Sequence, residues 1–384
     1  MVRFRRRKMI SAMVAVTLAL VVILTPLLLF WPSHEQIVVD EGSWTMPGGG
    51  PAHLSYLPFA PRGPLVERWN TRLEGQPAGP PAVAGGRVYV GCENGFVYCL
   101  DLDSGKPVWR FDAESGLASM PGVSEAGVFL GTLDGRVVSI SPEGELNWEV
   151  GVGGTVNATP IPEGDRLFFG SSDRHVYCVD AGDGSILWSF EAEGPVEASP
   201  CVDAGQVYAV SYEGDLFALD ARDGRLLWTY RTEGVPVACP ATTDGKVFLA
   251  NEFELHCADA QSGKVLWKYT TASTIISNLA VRGNQLLVMY GTPGSDASMM
   301  SLDDRTGDLL WQTSAGIAAD WTSLYATNED AYYCGIDGLH AMAVESGIPS
   351  LERELGGILP EVLTITESYV LAGSEARKVY CYGE

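Results

Sequence analysis

The chain has 384 residues and carries 48 Asp and Glu against 25 Lys and Arg, so its formal net charge is -23 at pH 7. This acidity argues against nucleic acid as a partner, because phosphate contacts require clustered cations, and against lying flat on an anionic membrane. The eight cysteines form no Cys-x-x-Cys motif, so the sequence predicts no zinc site.

The first 31 residues consist of a basic stretch followed by an apolar one. Residues 1–8 hold five cations, and residues 9–31 contain no charged side chain. As a helix, the apolar stretch would span about 34 Å, enough to cross a bilayer. By the positive-inside rule, 1–8 is predicted to be a cytoplasmic tail and 9–31 a transmembrane signal anchor. A cleaved signal peptide is the alternative, although no small-x-small cleavage site follows the apolar stretch.

Residues 32–63 are rich in Pro and Gly, with Pro-Gly-Gly-Gly-Pro at 47–51. They show no sustained period of two or 3.6, and they are predicted to be a linker that holds the globular part away from the membrane. Trp44 and Tyr56 are candidates for anchoring part of this linker on the domain. Beyond Pro32 the chain has 20 Lys and Arg against 48 Asp and Glu, a net charge of -28.

A short motif then recurs at nearly constant spacing. Each copy has an acidic residue, a turn glycine and a tryptophan: Asp101, Gly105 and Trp109; Asp180, Gly184 and Trp188; Asp220, Gly224 and Trp228; Asp259, Gly263 and Trp267; Asp303, Gly307 and Trp311. Trp148 belongs to a degenerate copy, and Trp69 precedes them all. The tryptophans are 39 or 40 residues apart, except for one step of 44. A period near 40 residues is the size of one propeller blade.

Each repeat is predicted to form four antiparallel strands. In the repeat that begins at Pro81, apolar runs are separated by turns at Gly85-Gly86, Asn94-Gly95 and the Asp-Ser-Gly motif. Seven complete repeats end near Glu354, and residues 363–384 supply three further strands. Residues 65–70 supply a lone strand that could complete the last blade and leave no free sheet edge. The sequence therefore predicts an all-β domain over 64–384, an eight-bladed propeller of four-stranded antiparallel blades, and a seven-bladed ring would leave one repeat unplaced.

The motif spacing resembles A-x-D-x-x-T-G-x-x-x-W, the tryptophan-docking motif of PQQ-binding-like, quinoprotein-type propellers, which residues 218–228 and 301–311 match. The resemblance covers 65–384 and implies the propeller fold. PQQ-dependent alcohol dehydrogenases of this family hold their quinone against a ring of two adjacent cysteines and bind calcium. This sequence has no Cys-Cys pair. In size it is closer to the BamB-type branch, the non-catalytic scaffolds of outer-membrane protein assembly.

The cysteines and histidines are predicted to be structural. Cys99, Cys178, Cys257 and Cys381 share one repeat position, where other repeats have Ala or Ser, and are expected to be small buried residues. The other four are Cys92, Cys201, Cys239 and Cys334, and a disulfide between two of them is possible in an exported domain. His256 and His340 directly precede the small position, where other repeats have Tyr or Phe, which favours packed rings over catalytic bases.

The candidate site lies where the innermost strands begin, because these residues line the mouth of a propeller channel. The candidates are Asn157, Glu197, Cys239, Asp320 and Trp321. Trp321 stands where sister repeats have alanine. A tryptophan with two carboxylates and an amide could hold a flat or cationic ligand, or a calcium ion. The alternative is a channel plugged by one large side chain.

The sequence as a whole favours a membrane-anchored, extracytoplasmic scaffold that binds envelope or secreted proteins through its propeller faces. It predicts membrane contact through 9–31, a monomeric propeller, and neither a cofactor nor a catalytic residue. One alternative is a PQQ- or metal-dependent oxidoreductase that binds PQQ with calcium. A second alternative is a ligand-binding module at the cell surface.

Overall fold

The computed structural model describes residues 37–39, 43, 45–46, 49–58, 61, 65–292, 294–319, 321–335, 338–354 and 360–383. All of them belong to a compact unit that begins at Gln36. The predicted tail at 1–8 and the predicted anchor at 9–31 lie outside the described residues. Within the described part of the chain, no helix has the length and apolarity needed to cross a membrane.

The described chain forms eight four-stranded antiparallel sheets, which we number as blades one to eight, with strands A to D in each. Blades one to four contain β2 (Ala82–Ala84), β3 (Arg87–Gly91), β4 (Phe96–Asp101) and β5 (Pro107–Asp112); β6 (Gly122–Ser124), β7 (Gly127–Gly131), β8 (Arg136–Ile140) and β9 (Leu146–Gly151); β10 (Ile161–Glu163), β11 (Arg166–Ser171), β12 (His175–Asp180) and β13 (Ile186–Glu191); β14 (Cys201–Asp203), β15 (Gln206–Val210), β16 (Asp215–Asp220) and β17 (Leu226–Arg231).

Blades five to eight contain β18 (Ala241–Thr243), β19 (Lys246–Ala250), β20 (Glu254–Asp259) and β21 (Val265–Thr270); β22 (Ala280–Arg282), β23 (Gln285–Gly291), β24 (Ser295–Asp303) and β25 (Leu309–Ala319); β26 (Leu324–Ala326), β27 (Asp330–Gly335), β28 (Gly338–Ala343) and β29 (Pro349–Glu354); β30 (Pro360–Ile365), β31 (Tyr369–Ser374) and β32 (Lys378–Gly383), which pair with β1 (Val66–Arg72). The prediction of an eight-bladed, four-stranded propeller is confirmed.

The burial of the strands follows from the stacking of the blades. Strands A, B and C are covered on both faces, and β3 and β4 are buried along most of their length. The outer strand D has solvent on one face, so β13 alternates between exposed and covered residues. The A–B and C–D turns lie at one end of each blade. The B–C turns and the loops between blades lie at the other end, which we call the mouth face.

The ring closes through β1, which is strand D of blade eight. It pairs antiparallel with β32, with Trp69 opposite Cys381 and Thr71 opposite Val379. The strand runs from Val66 to Arg72, two residues beyond the predicted end at 70. Because the first strand of the domain completes the last sheet, blade eight presents no unpaired outer edge.

The repeated tryptophans dock each blade onto the next. Seven indoles each donate their Nε1–H to a backbone carbonyl of the following blade at 2.7 to 3.1 Å, and these carbonyls belong to Leu102, Pro142, Ala181, Ala221, Ala260, Asp304 and Val344. The indole covers the glycine of that blade's C–D turn: a Cβ on Gly184 would lie 2.5 Å from Trp148 Cε3. Within its own blade each tryptophan pairs with the small residue of strand C, as Trp188 pairs with Cys178.

The motif aspartates shape the C–D turns. Asp101 Oδ1 accepts hydrogen bonds from the backbone N–H and the hydroxyl of Ser104. These bonds to Ser104 lower the pKa of the Asp101 carboxyl. The carboxylates of Asp180, Asp220, Asp259 and Asp303 accept backbone N–H groups of their own turns in the same way. Each turn thereby presents its glycine, at positive φ, to the preceding blade's indole.

Part of the predicted linker packs inside the ring. We call residues 45–57 the channel segment; residues 47 and 48 within it are not described. Its carbonyls accept N–H groups from A strands of several blades: Thr45 from Val123, Pro51 from Val202, Ala52 from Thr242, Leu54 from Val281 and Ser55 from Ala326, at 2.8 to 3.0 Å. The predicted anchoring of the linker by Tyr56 agrees with this arrangement, because the Tyr56 hydroxyl donates to Asn328 Oδ1 at 2.7 Å, whereas Trp44 lies outside the described residues. The composition did not predict the backbone contacts, which arise because the A strands leave N–H groups unpaired toward the channel and a non-helical segment can satisfy them.

Candidate functional site

A cavity of about 550 Å³ lies among the starts of the A strands and opens toward the mouth face. His53 and Ser55 of the channel segment also line it and lie at its inner end. The volume is within the range of about 300 to 1,000 Å³ that is typical of small-molecule sites.

Four of the five predicted site residues line this cavity, namely Asn157, Glu197, Cys239 and Trp321. The fifth, Asp320, lies outside the described residues. Trp321 is 51% exposed, so its side chain stands at the opening and does not fill the channel. Tyr212, 56% exposed, lies at the same opening.

Two polar atoms of the lining, Asn157 Oδ1 and Ser119 Oγ, have no hydrogen-bond partner among the described residues. Burial lowers the pKa of His53 to about 4, although the nearby Pro240 carbonyl acts in the opposite direction. The imidazole is therefore neutral near pH 7 and offers one N–H donor and one nitrogen acceptor.

The channel segment is held against the wall by Asn278. Its Nδ2 donates to Ser55 Oγ at 2.7 Å and to the Leu324 carbonyl at 2.8 Å, and its Oδ1 accepts the Leu324 N–H at 2.8 Å. Sequence reasoning missed both His53 and Asn278. The signal for Asn278 was present, because it replaces Ser199 and Cys239 of the sister repeats just as Trp321 replaces alanine. No repeat covers His53, so the sequence carries no comparable signal for it.

The cysteines and histidines occupy structural positions. All eight cysteines carry free thiols, and seven of them are buried. Burial raises the pKa of the Cys239 thiol, which keeps it protonated and a poor nucleophile. His256 is 2% exposed, with Tyr230 Oη 2.9 Å from Nδ1, and the His340 ring stacks on Tyr333 at 5.5 Å.

The lining does not fit PQQ or a metal ion. Among the described residues, no group of three or more His, Cys, Asp or Glu side chains is placed to hold a metal. PQQ is a tricarboxylate and requires cations around it. The described lining contains one ionised group, the Glu197 carboxylate, and neither Lys nor Arg. We therefore derive no chemistry through a quinone.

Comparison with known families gives a match over most of the propeller. The family model described as outer membrane protein assembly factor BamB matches residues 66–156, 134–239 and 233–347. The outer membrane protein assembly factor BamB of Nitrosomonas eutropha is 27% identical over 158 residues, which are 41% of this chain and 36% of that protein. The chain thus matches about a third of the length of this relative.

Solved structures show the same fold at low identity. BamB from Moraxella catarrhalis superposes with a TM-score of 0.69 at 18% identity, over 84% of this chain and all of that one. The quinohemoprotein alcohol dehydrogenase ADHIIG from Pseudomonas putida HK5 superposes with a TM-score of 0.72 at 15% identity, over 90% of this chain and 80% of that one. Both a protein named for assembly and an enzyme share this fold, so the fold alone does not assign a function.

Proposed function

The chain belongs to the family of the outer membrane protein assembly factor BamB, and from that membership we propose that it is a non-catalytic scaffold for protein assembly in the cell envelope. The family match over residues 66–347 is the observation that carries the proposal. A scaffold requires a rigid body with surfaces that partners can bind. The ring is such a body, because β1 closes it and seven indoles dock each blade onto the next.

The mouth face is the surface that we assign to partner binding. It carries exposed apolar side chains on the B–C turns of three blades, Leu133, Tyr212 and Phe253, which are 44%, 56% and 48% exposed. Trp321 adds a fourth on the loop that leads into blade seven. Aromatic residues are enriched at the centres of protein interfaces because they bury a large area at low entropic cost.

Family membership supports a location outside the cytoplasm. We propose that the propeller lies on the extracytoplasmic side of a membrane, with residues 9–31 as its anchor and 1–8 in the cytoplasm. The charge asymmetry of these two segments supports this orientation.

Site-specific photo-crosslinking in cells tests the assignment. A photo-reactive amino acid is placed at Tyr212 or Phe253 on the mouth face. Leu226, 41% exposed on strand D of blade four, is the control position. We expect the mouth-face positions to capture a component of the outer-membrane assembly machinery, and the control not to. Adducts of that machinery only at Leu226 would show that another surface binds it, and their absence at all three positions would overturn the scaffold assignment.

A further inference from the structure

The polar groups of the central cavity point to a ligand that donates hydrogen bonds. Asn157 Oδ1 can only accept, and it has no donor among the described residues. Glu197, exposed at the opening, adds a carboxylate that also only accepts. A buried acceptor without a partner is costly, so a donor supplied by a ligand would be favourable here.

The charge of the cavity favours a cation. Glu197 is the one ionised group of the described lining, and the buried imidazole of His53 is neutral near pH 7 and does not repel a positive charge. Exposed Glu213 and Glu252 stand on B–C turns of the same face. Arg231, at the end of strand D of blade four, lies within 3.8 Å of both Glu193 and Asp215, which balance its charge.

The opening adds two aromatic faces, and the wall adds an apolar surface. Trp321 and Tyr212 are exposed at the mouth, where an indole or phenol face can attract a cation. The lining also includes Val210, Val237 and Leu279, which have no polar side-chain atom. The cavity thus combines acceptors, aromatic rims and an apolar wall.

We propose that this cavity is a binding site for an organic cation, a primary ammonium or guanidinium group carried on an apolar body. The cation would lie between the Glu197 carboxylate and the rim aromatics, and its N–H donors would satisfy Asn157 Oδ1. The bound cation could be a free amine or guanidine, or it could be a lysine or arginine side chain of a polypeptide. The proposal does not depend on the assembly role, and either can fail without the other.

Calorimetric titration of the purified full chain in detergent tests the ligand chemistry. The probe is Nα-acetyl-arginine methyl ester, whose guanidinium is its one cationic group, and Nα-acetyl-citrulline methyl ester is its neutral isostere. We expect saturable binding of the arginine ester, accompanied by a change in tryptophan fluorescence, and no binding of the citrulline ester. Equal binding of both esters, or no binding of any probe up to about 10 mM, would overturn the proposal.

Two substitutions localise the binding. Glu197→Gln keeps the shape and removes the charge, and it should weaken the arginine ester about tenfold or more. Glu252→Gln removes an exposed carboxylate of the same face that does not line the cavity, and it should change the affinity by less than about twofold. Both side chains are exposed, so neither change threatens folding. Equal effects of the two substitutions would show that the cation binds to the general acidic surface and not in the cavity.

A second arm distinguishes the sources of the cation. The blocked tripeptide Gly-Arg-Gly is compared with Gly-citrulline-Gly under the same conditions. Binding of the free ester alone would assign the cavity to small amines. Binding of the arginine peptide, again lost in Glu197→Gln, would assign it to a side chain of a polypeptide.

Discussion

At the scale of single residues, the propeller depends on one contact repeated seven times, an indole laid over a glycine. The glycine serves two purposes there, because its φ is positive and because the tryptophan leaves no room for a Cβ. Gly184 has a φ of +74° and lies under Trp148. Gly164, in an A–B turn, has a φ of +61° with no atom within 4 Å of a Cβ position.

Alanine substitutions at these two glycines distinguish the cost of backbone strain from the cost of disturbing the docked indole. We expect Gly164→Ala to cost about 1 kcal/mol, from the left-handed conformation alone. Gly184→Ala should cost about 1 to 3 kcal/mol more, because its Cβ would overlap the indole. Urea unfolding of both variants measures the difference. Equal costs would mean that the indole gives way freely and that the docking contact is loose.

The indole itself can be tested against its neighbour on the same strand. Trp188 is 8% exposed and Leu187 is 45% exposed. We expect Trp188→Ala to lower the free energy of unfolding by about 3 to 5 kcal/mol, since it removes a buried side chain and its hydrogen bond to the Ala221 carbonyl. Leu187→Ala should stay within about 0.5 kcal/mol. A small effect at Trp188 would contradict docking by the indoles.

His53 makes stability depend on pH. Its pKa is about 4 in the folded protein against 6.5 for a free histidine, so the unfolded chain takes up a proton first as the pH falls. Stability from this group is therefore intact above pH 6.5 and is lost as the pH falls toward 4. Between pH 7 and pH 5 the loss is about 2 kcal/mol. His256, whose pKa is also about 4, acts in the same direction.

The His53→Gln variant isolates that contribution, because His256 is present in both proteins. We expect the variant to lose about 2 kcal/mol less than the parent between pH 7 and pH 5. Urea unfolding at the two pH values measures it. Identical pH dependence in the two proteins would show that His53 is solvated or protonated in the folded state.

At the scale of strands and segments, the fold of each repeat could be predicted because each turn and strand is specified by its own short stretch of sequence. Asn94-Gly95 predicts a hairpin, and alternating apolar residues predict the flanking strands. Strand D of blade seven has Leu351, opposite Ala341, where strand D of the other blades has the tryptophan, and this departure also has a structural cause. In blade eight, β32 and β1 are not consecutive in the chain, so there is no C–D turn for an indole to cover.

The position of the channel segment could not be predicted from the sequence. Its Pro- and Gly-rich composition predicts an absence of helix and strand period, and its described residues form no α-helix and no named strand. What composition cannot predict is the partner. The segment is bound through its own carbonyls to N–H groups of A strands up to about 270 residues away, and backbone pairing leaves no pattern in side chains.

The position of the channel segment predicts its resistance to proteases. A free linker would be cut by chymotrypsin near Tyr56 and Leu57 in the earliest phase of digestion. We expect these bonds to survive as long as the folded propeller does. The Asn278→Ala variant loses the hydrogen bonds of this side chain, one of them to Ser55, and should be cut there sooner. Early cleavage of the parent protein at 54–57 would contradict the packed position.

At the scale of the whole molecule, the eight blades could be predicted by counting the repeats and the strands left over at the two ends of the domain. The lone strand at 65–70 has one place to pair if no sheet edge is to remain open. The cavity was predicted only in part. Four lining residues were found because they depart from the repeat or precede the A strands, whereas His53 enters from outside the repeat. The floor of the cavity is a property of the folded ring and not of any one blade.

The role in assembly is the central claim, and the abundance of outer-membrane proteins tests it most directly. Membranes from cells lacking this protein are compared by quantitative proteomics with membranes from cells in which the chain has been restored. We expect outer-membrane proteins to fall in its absence and to recover with the restored chain, while inner-membrane proteins stay constant. Unchanged levels of outer-membrane proteins in the deficient cells would contradict the account.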